Sequence, residues 1–442
     1  MTNMKRHIAA VATILSLIPF FNACRQNAPE SPVRTASVDY ERYFTGARLR
    51  IDLAFCGNKY SQSAYLKGLH REKSWSGSPL SLIDPFGYGQ YMIEVSKDDT
   101  LIFSKGFCTL FEEWRTTEEA ARMKRSSDQS VWIPFPKEPV HFALYTRERS
   151  TGKFGSLLEF DIDPSDRHIT SGNKYGFEVR TLQYKGNSSH KVDIAIAGEG
   201  YTLDEICKLR SDAVRVIEHL FSVEPYASRR QDFNVWLVES ISPESGTDVP
   251  QEGKWKRTLM DSGFDTFYID RYLTVMDQTR IAETVSDTPS DAIIVLVNDS
   301  KYGGSGMYGS YAMSSVDNSR SLKVVTHEFG HSFAGLADEY YNNGDEFEEF
   351  YPLNVEPWEP NITTGVDFGS KWASMVEEGT PVPTPNDSSY IGVVGMFEGA
   401  GYMTKGCFRP YYDCYMLSNS APGFCPVCRR AIEMMIDYYT RQ

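Results

Sequence analysis

The sequence predicts an α+β protein: an N-terminal β-sandwich of about a hundred residues, followed by a C-terminal α/β domain. Three observations predict it. Residues 40–165 hold short stretches of alternating apolar and polar residues, broken by turn signals. From about residue 175 onward, apolar strand-like runs alternate with strongly periodic helical ones. A chain of 442 residues with 41% apolar content is long enough, and apolar enough, for two or three packed cores.

In the first half, ARLRIDLAF (47–55), QYMIEVS (90–96), TLIFSKGF (100–107) and VHFALYTR (140–147) alternate as half-buried strands do. Turn residues at 76–79 and 97–99 separate them, and one short helical piece is expected at 117–123. This half contains no ligand cluster or nucleophile constellation. Residues 160–164 and the polar stretch to Asn173 read as a linker.

In the second half, HKVDIAIAGEGY (190–201) reads as a strand running into a turn. A periodic helix follows over 202–226, with Thr202 as N-cap and Glu205 three residues later. NVWLVES (234–240) and DAIIVLVND (291–299) have the apolar character of central strands covered by helices, and 272–283 is a possible helix. Residues 351–391, rich in Pro, Trp, Asn and Gly, read as a long ordered loop region, and 425–439 as a final amphipathic helix.

The N-terminus carries an address. Lys5 and Arg6 precede an apolar run over 8–21, too short for a stable membrane span, so residues 1–23 read as a secretory signal. Phe21-Asn22-Ala23-Cys24 is similar to a bacterial lipobox. Lipid on Cys24 would make 24–39 a tether. The expectation is an exported, outer-membrane-anchored lipoprotein, periplasmic or at the cell surface, touching membrane only through that lipid. A net charge of −14 argues against a nucleic-acid partner.

Of the eight cysteines, Cys56, Cys108 and Cys207 are scattered and read as buried thiols or a Cys56–Cys108 bridge. Cys407, Cys414, Cys425 and Cys428 lie close together in sequence. In an exported chain, disulfides are favoured there over a structural zinc site.

The chemistry concentrates in HEFGHSFAGLADEY, residues 327–340. On a helix, His327 and His331 lie on one face, where two neutral imidazoles can reach a single Zn²⁺ at about 2.0–2.1 Å. Glu328 lies beside the metal as a candidate general base. Gly335 can end the helix in a left-handed turn, which brings Asp338 back as a third ligand. Glu339 is the adjacent rival, and Glu346 or Glu349 a weaker one. Three protein ligands and an open position describe a catalytic zinc site rather than a structural one.

This stretch resembles the signature of the IgA-peptidase family of bacterial zinc metallopeptidases, a metzincin-like group. The metzincin pattern has glycine three residues after the second histidine and a third histidine six after it. Here Gly335 is four after His331 and Asp338 seven after it. The resemblance implies an accessory β-sandwich domain (40–165) followed by a metzincin-like α/β zinc-peptidase domain (175–442). It implies an exported zinc-dependent endopeptidase acting on protein or glycoprotein substrates. Met416 matches the methionine of the Met-turn. YGGSGMYGSYAMSS (302–315) would supply an edge strand along the cleft, with Gly306, Met307, Tyr308 and Gly309 pairing with substrate backbone. Tyr415, Tyr412 or Tyr411 would donate to the developing oxyanion. Two other readings remain open here. One is a zinc hydrolase of non-peptide amides or glycan-linked substrates. The other is a catalytically silent zinc-fold surface protein whose β-sandwich mediates binding.

Overall fold

A computed structural model describes residues 38–341 and 350–441. The signal segment, Cys24, the tether up to residue 37, the acidic stretch 342–349, Glu346 and Glu349 lie outside the described residues. A helical turn α1 (Tyr40–Tyr43) leads into β1 (Phe44–Gly57) and β2 (Gln62–Glu72). Then come β3 (Tyr91–Lys97), β4 (Thr100–Phe107), α2 (Leu110–Trp114), β5 (Arg125–Pro136), β6 (Val140–Arg147), β7 (Phe154–Ile162) and β8 (Thr170–Ser171). Two four-stranded sheets result, in the orders β5-β1-β2-β8 and β4-β3-β6-β7. Leu49, Ile51, Leu53 and Phe55 from alternate positions of β1 share one core with Ile93, Val95, Phe142 and Leu144 of the other sheet.

The polar face of β1 departs from the expectation of a half-buried strand. Arg48, Arg50 and Asp52 are buried, because this face packs against the C-terminal half. Arg48 Nε lies 2.6 Å from Glu72, and its Nη1 donates to Ser290 Oγ at 2.9 Å. Arg50 pairs with Glu72 at 3.1 Å and with Asp52 at 3.0 Å. Two local expectations also need correction. Residues 117–122 form turns, whereas the helix is α2, capped by Thr109, whose hydroxyl accepts from the Glu112 N–H at 3.1 Å. Strand β7 runs through Ile162, which pairs with Val140, so the start of the expected linker is sheet.

The second half contains β9 (Val179–Gln183), β10 (Val192–Glu199), α3 (Ile206–Leu220), β11 (Phe233–Val238), a small β12–β13 pair (Ser262–Gly263, Thr274–Val275) and α4 (Thr279–Thr284). Next come β14 (Ala292–Val297), β15 (Gly304–Met307), β16 (Tyr311–Ser315) and α5 (Ser321–Ala334). The hairpin strands β17 (Phe397–Ala400) and β18 (Met403–Arg409) and helix α6 (Pro426–Thr440) complete it. The main sheet has the order β15-β16-β14-β10-β11-β9. Its four inner strands are parallel, and both edge strands run antiparallel. Every residue of β10 and β14 is buried, as expected of strands covered on both faces. Residues of α3, α5 and α6 pack on one face. The other face is covered by α4, by the loops around β12 and β13, and by Leu110 of α2.

Thr202 and Glu205 form the expected capping box, but α3 stops at Leu220 rather than Tyr226. The possible helix at 272–283 resolves into β13 and the short α4. Among the described residues the fold is mixed α+β, with many strands and few helices.

Candidate active site

Helix α5 carries His327, Glu328 and His331 along a cleft of about 1450 Å³ lined by both halves of the protein. It stops at Gly335, whose φ of +65° places it in the left-handed region, and the Gly335 N–H donates to the His331 carbonyl at 3.0 Å. The chain then doubles back. That reversal brings the Leu336 carbonyl to His331 Nδ1 at 2.5 Å, while the Tyr415 carbonyl meets His327 Nδ1 at 2.9 Å. A carbonyl oxygen only accepts, so each ring carries its proton on Nδ1 and presents a lone pair on Nε2.

Those two Nε2 atoms are 3.0 Å apart. Asp338 Oδ1 lies 3.1 Å from one and 3.3 Å from the other, buried and without a hydrogen bond. Three acceptors facing one another repel unless something positive sits between them. A tetrahedral zinc ion with bonds of about 2.0–2.1 Å holds its ligand atoms roughly 3.3 Å apart, so the residues fit such an ion. The same demand for positive charge appears in the protonation equilibria. Burial disfavours the charged His331 ring, yet Asp338 overcomes this and pushes it up to about 9. Asp338 itself is raised by burial but held well below the usual carboxylate range by the two imidazoles.

The remaining expected residues divide. The Glu328 carboxyl lies within 4.8 Å of the histidine nitrogens, and burial raises its pKa. Glu339, the rival ligand, is fully buried and turned toward Cys428 and Asn361 instead. Met416 is buried beside Gly330 of α5, and its carbonyl accepts from the Glu339 N–H at 2.8 Å. Tyr415 lines the cleft, whereas Tyr412 packs against Phe397 and, like Tyr411, is not among the cleft residues. The four expected edge-strand residues also split. Gly306 and Met307 belong to β15, but Tyr308 and Gly309 form the turn into β16, which is an inner strand. The tight turn fits the register, since Met307 pairs with Tyr311. Gly306 is needed where it stands, because a Cβ there would strike the Glu328 carbonyl and lie 2.8 Å from His331 Cβ.

Two family models match the chain. One, described as IgA Peptidase M64, matches residues 181–391 and 386–436. The other, described as Peptidase M64 N-terminus, matches residues 39–157. The chain belongs to the IgA peptidase M64 family. No curated protein matches it. It is therefore a peptidase by family, and peptidases hydrolyse the bonds of protein substrates.

Two residues of this M64 cleft carried no sequence signal. Tyr402, at the turn between β17 and β18, donates its hydroxyl to Asp338 Oδ2, and its backbone N–H donates to the Tyr340 carbonyl at 2.9 Å. Its φ of +67° is rare for a non-glycine residue, so that pose depends on surrounding contacts. Glu113 reaches the cleft from α2 of the N-terminal half and accepts a hydrogen bond from the Tyr272 hydroxyl. A single glutamate on a five-residue helix has no motif to mark it.

Glu113 makes stability depend on pH. Burial is the main cause that pushes its carboxyl up to about 7, against the opposing hydrogen bond from Tyr272. The folded state then keeps a proton that the unfolded chain releases at lower pH. Stability present below the unfolded value is lost as pH rises through about 7. Between about pH 6 and 8 this contribution falls by about 1 kcal/mol. Denaturant titrations of the wild type and of Glu113→Gln should differ by that slope, and parallel pH profiles would refute it.

Proposed function

We propose that this M64 peptidase is an exported, zinc-dependent endopeptidase whose C-terminal half has a metzincin-like architecture. The convergence of His327 Nε2, His331 Nε2 and Asp338 Oδ1, with both Nδ1 atoms tied to carbonyls, carries the reading. These three residues would hold the ion, and the Tyr415 and Leu336 carbonyls fix the two rings. When bound, zinc would supply a Lewis acid for the scissile carbonyl and lower the pKa of a water molecule toward about 7. Glu328 takes a proton from the attacking water and returns it to the departing amine, helped by the raised basicity that burial gives its carboxylate. Tyr402 holds Asp338 Oδ2, leaving Oδ1 aimed at the histidines. Of Tyr411, Tyr412 and Tyr415, only Tyr415 lines the cleft, and it would be the one to donate to a developing oxyanion.

An extended peptide would lie along the outer side of β15, where main-chain pairing is indifferent to side chains. Tyr272 already bridges Gly304, so the stretch from Ser305 to Met307 is the part left for substrate. Export rests on the signal-like N-terminus, and lipid on Cys24 remains part of this proposal.

The deciding test is metal-dependent hydrolysis of protein and glycoprotein substrates by the full chain. Phenanthroline should abolish it and added zinc restore it. Asp338→Ala should lose the catalytic zinc, seen by elemental analysis. A variant with unchanged zinc at the histidines would sink the ligand assignment. Tyr402→Phe should weaken zinc binding by about 10–100-fold while keeping the fold, measured by competition with a chromophoric chelator. Wild-type affinity in that variant would remove Tyr402 from the site.

A further inference from the structure

A second cluster lies behind the first. Cys414, Cys425, Cys428 and Glu339 are all buried, and their sulfur and carboxylate atoms lie within 4.8 Å of one another. All the described cysteines are free thiols, so neither the expected C-terminal disulfides nor a Cys56–Cys108 bridge is present. Cys407 stands apart, packed with Ala337, Ile362, Ala400 and Met403. Cys207, expected to be buried, is exposed. The cluster is thus three cysteines and a glutamate rather than four cysteines, a set that sequence spacing does not reveal.

We propose that these four residues bind a structural zinc ion distinct from the catalytic one. Cys414 Sγ and Cys428 Sγ are 3.7 Å apart. Two sulfurs on one tetrahedral zinc, with bonds of about 2.3 Å, are separated by roughly 3.8 Å. Cys428 Sγ lies 3.2 Å from Glu339 Oε1, in hydrogen-bond contact and within a few tenths of an ångström of the roughly 3.5 Å that a sulfur and an oxygen ligand on one tetrahedral zinc would adopt. Backbone amides approach the sulfurs as donors: Cys425 N–H to Cys414 Sγ at 3.3 Å and Cys428 N–H to Cys425 Sγ at 3.5 Å. Such bonds favour sulfur as an acceptor and so suit thiolate ligands.

Glu339 points the same way independently. It has no solvent exposure, and its Oε2 has no hydrogen-bond partner. Asn361 holds only Oε1, at 2.9 Å. The nearby Arg409 directs its Nη atoms to the Glu398 and Gly399 carbonyls and to Asn386 rather than to Glu339. A buried carboxylate among thiols is costly without a cation, and soft thiolates select zinc.

The placement also gives the ion a task. Glu339 follows the catalytic-site residue Asp338, and Cys414 precedes Tyr415, whose carbonyl orients His327. Cys425 caps α6 and Cys428 sits in its first turn. One ion would therefore tie together the segment after α5 that bears Asp338, the loop bearing Tyr415 and Met416, and the C-terminal helix. The assignment does not depend on the catalytic reading.

The test uses the full chain, purified without reductant or chelator. Elemental analysis should find about two zinc ions per chain, and His327→Ala/His331→Ala about one. That double variant, loaded with Co²⁺, should show thiolate-to-cobalt charge-transfer absorption, which nitrogen and oxygen ligands do not produce. Adding Cys425→Ser should reduce the band, and Glu339→Gln should weaken metal retention. A metal-free double variant, a cobalt form without the band, or a disulfide among Cys414, Cys425 and Cys428 in non-reducing peptide mapping would overturn the proposal. A charge-transfer band in the double variant with metal content equal to wild type would instead sink the histidine site and leave this one standing.

Discussion

If Glu328 is the general base of the proposed zinc peptidase, Glu328→Gln should keep the bound zinc and slow peptide hydrolysis by about 10²- to 10⁴-fold, the usual contribution of a positioned general base. The amide has nearly the shape of the carboxylate but takes no proton from water. The variant should bind substrate nearly as the wild type does, so the loss belongs in kcat rather than KM. Zinc content separates this outcome from simple damage: Asp338 Oδ1 stands 3.1 and 3.3 Å from the imidazole nitrogens, whereas the Glu328 carboxyl is within 4.8 Å of them, and a loss of zinc in this variant would make Glu328 a ligand instead. Turnover within a few-fold of wild type, at full zinc occupancy, would assign the proton transfer to another group. The partly buried Glu113 would be the next carboxylate to examine in the cleft.

The second large effect is on stability and comes from a residue outside the cleft lining. Arg48→Ala should destabilise the protein by about 3 kcal/mol, because it breaks a buried ion pair and leaves its partners in place. Arg48 is only 2% exposed. It pairs with Glu72, donates to Ser290 Oγ, and reaches the Val285 and Ser286 carbonyls at 3.3 Å. Glu72 keeps Arg50 and the Trp132 indole N–H at 3.1 Å, which places the loss at the lower end for a broken buried pair. Equilibrium urea unfolding checks it, and a change below about 1 kcal/mol would mean that water enters and solvates Glu72. The double variant Arg48→Ala/Glu72→Ala should recover part of the loss, since it strands fewer charges.

These two experiments probe different layers of information. The histidine pair was legible because helical geometry is local: residues four apart share a face whatever the rest of the chain does. Gly335 was legible for a similar reason, since a left-handed turn has a strong residue preference. Strand alternation in residues 47–55 correctly marked β1 but misassigned its polar face to solvent. Period-2 patterning shows which side chains share a face, not what that face meets, and here it meets a second half of the same chain. The helix expected at 117–123 failed because a threonine cap eight residues earlier had already started and spent the helical turn.

By itself, the sequence determined the family, the peptidase class, the mixed α+β character and the two histidines with their neighbouring glutamate, all features written in short-range spacing. Tertiary structure alone decided that Asp338 faces those histidines while Glu339 turns to three thiols, and that Tyr402 and Glu113 enter the cleft from distant parts of the chain. The physical reason is one of range. Adjacent carboxylates that differ by one methylene are indistinguishable until the fold turns their side chains in different directions, one toward the two imidazoles and the other toward the thiols.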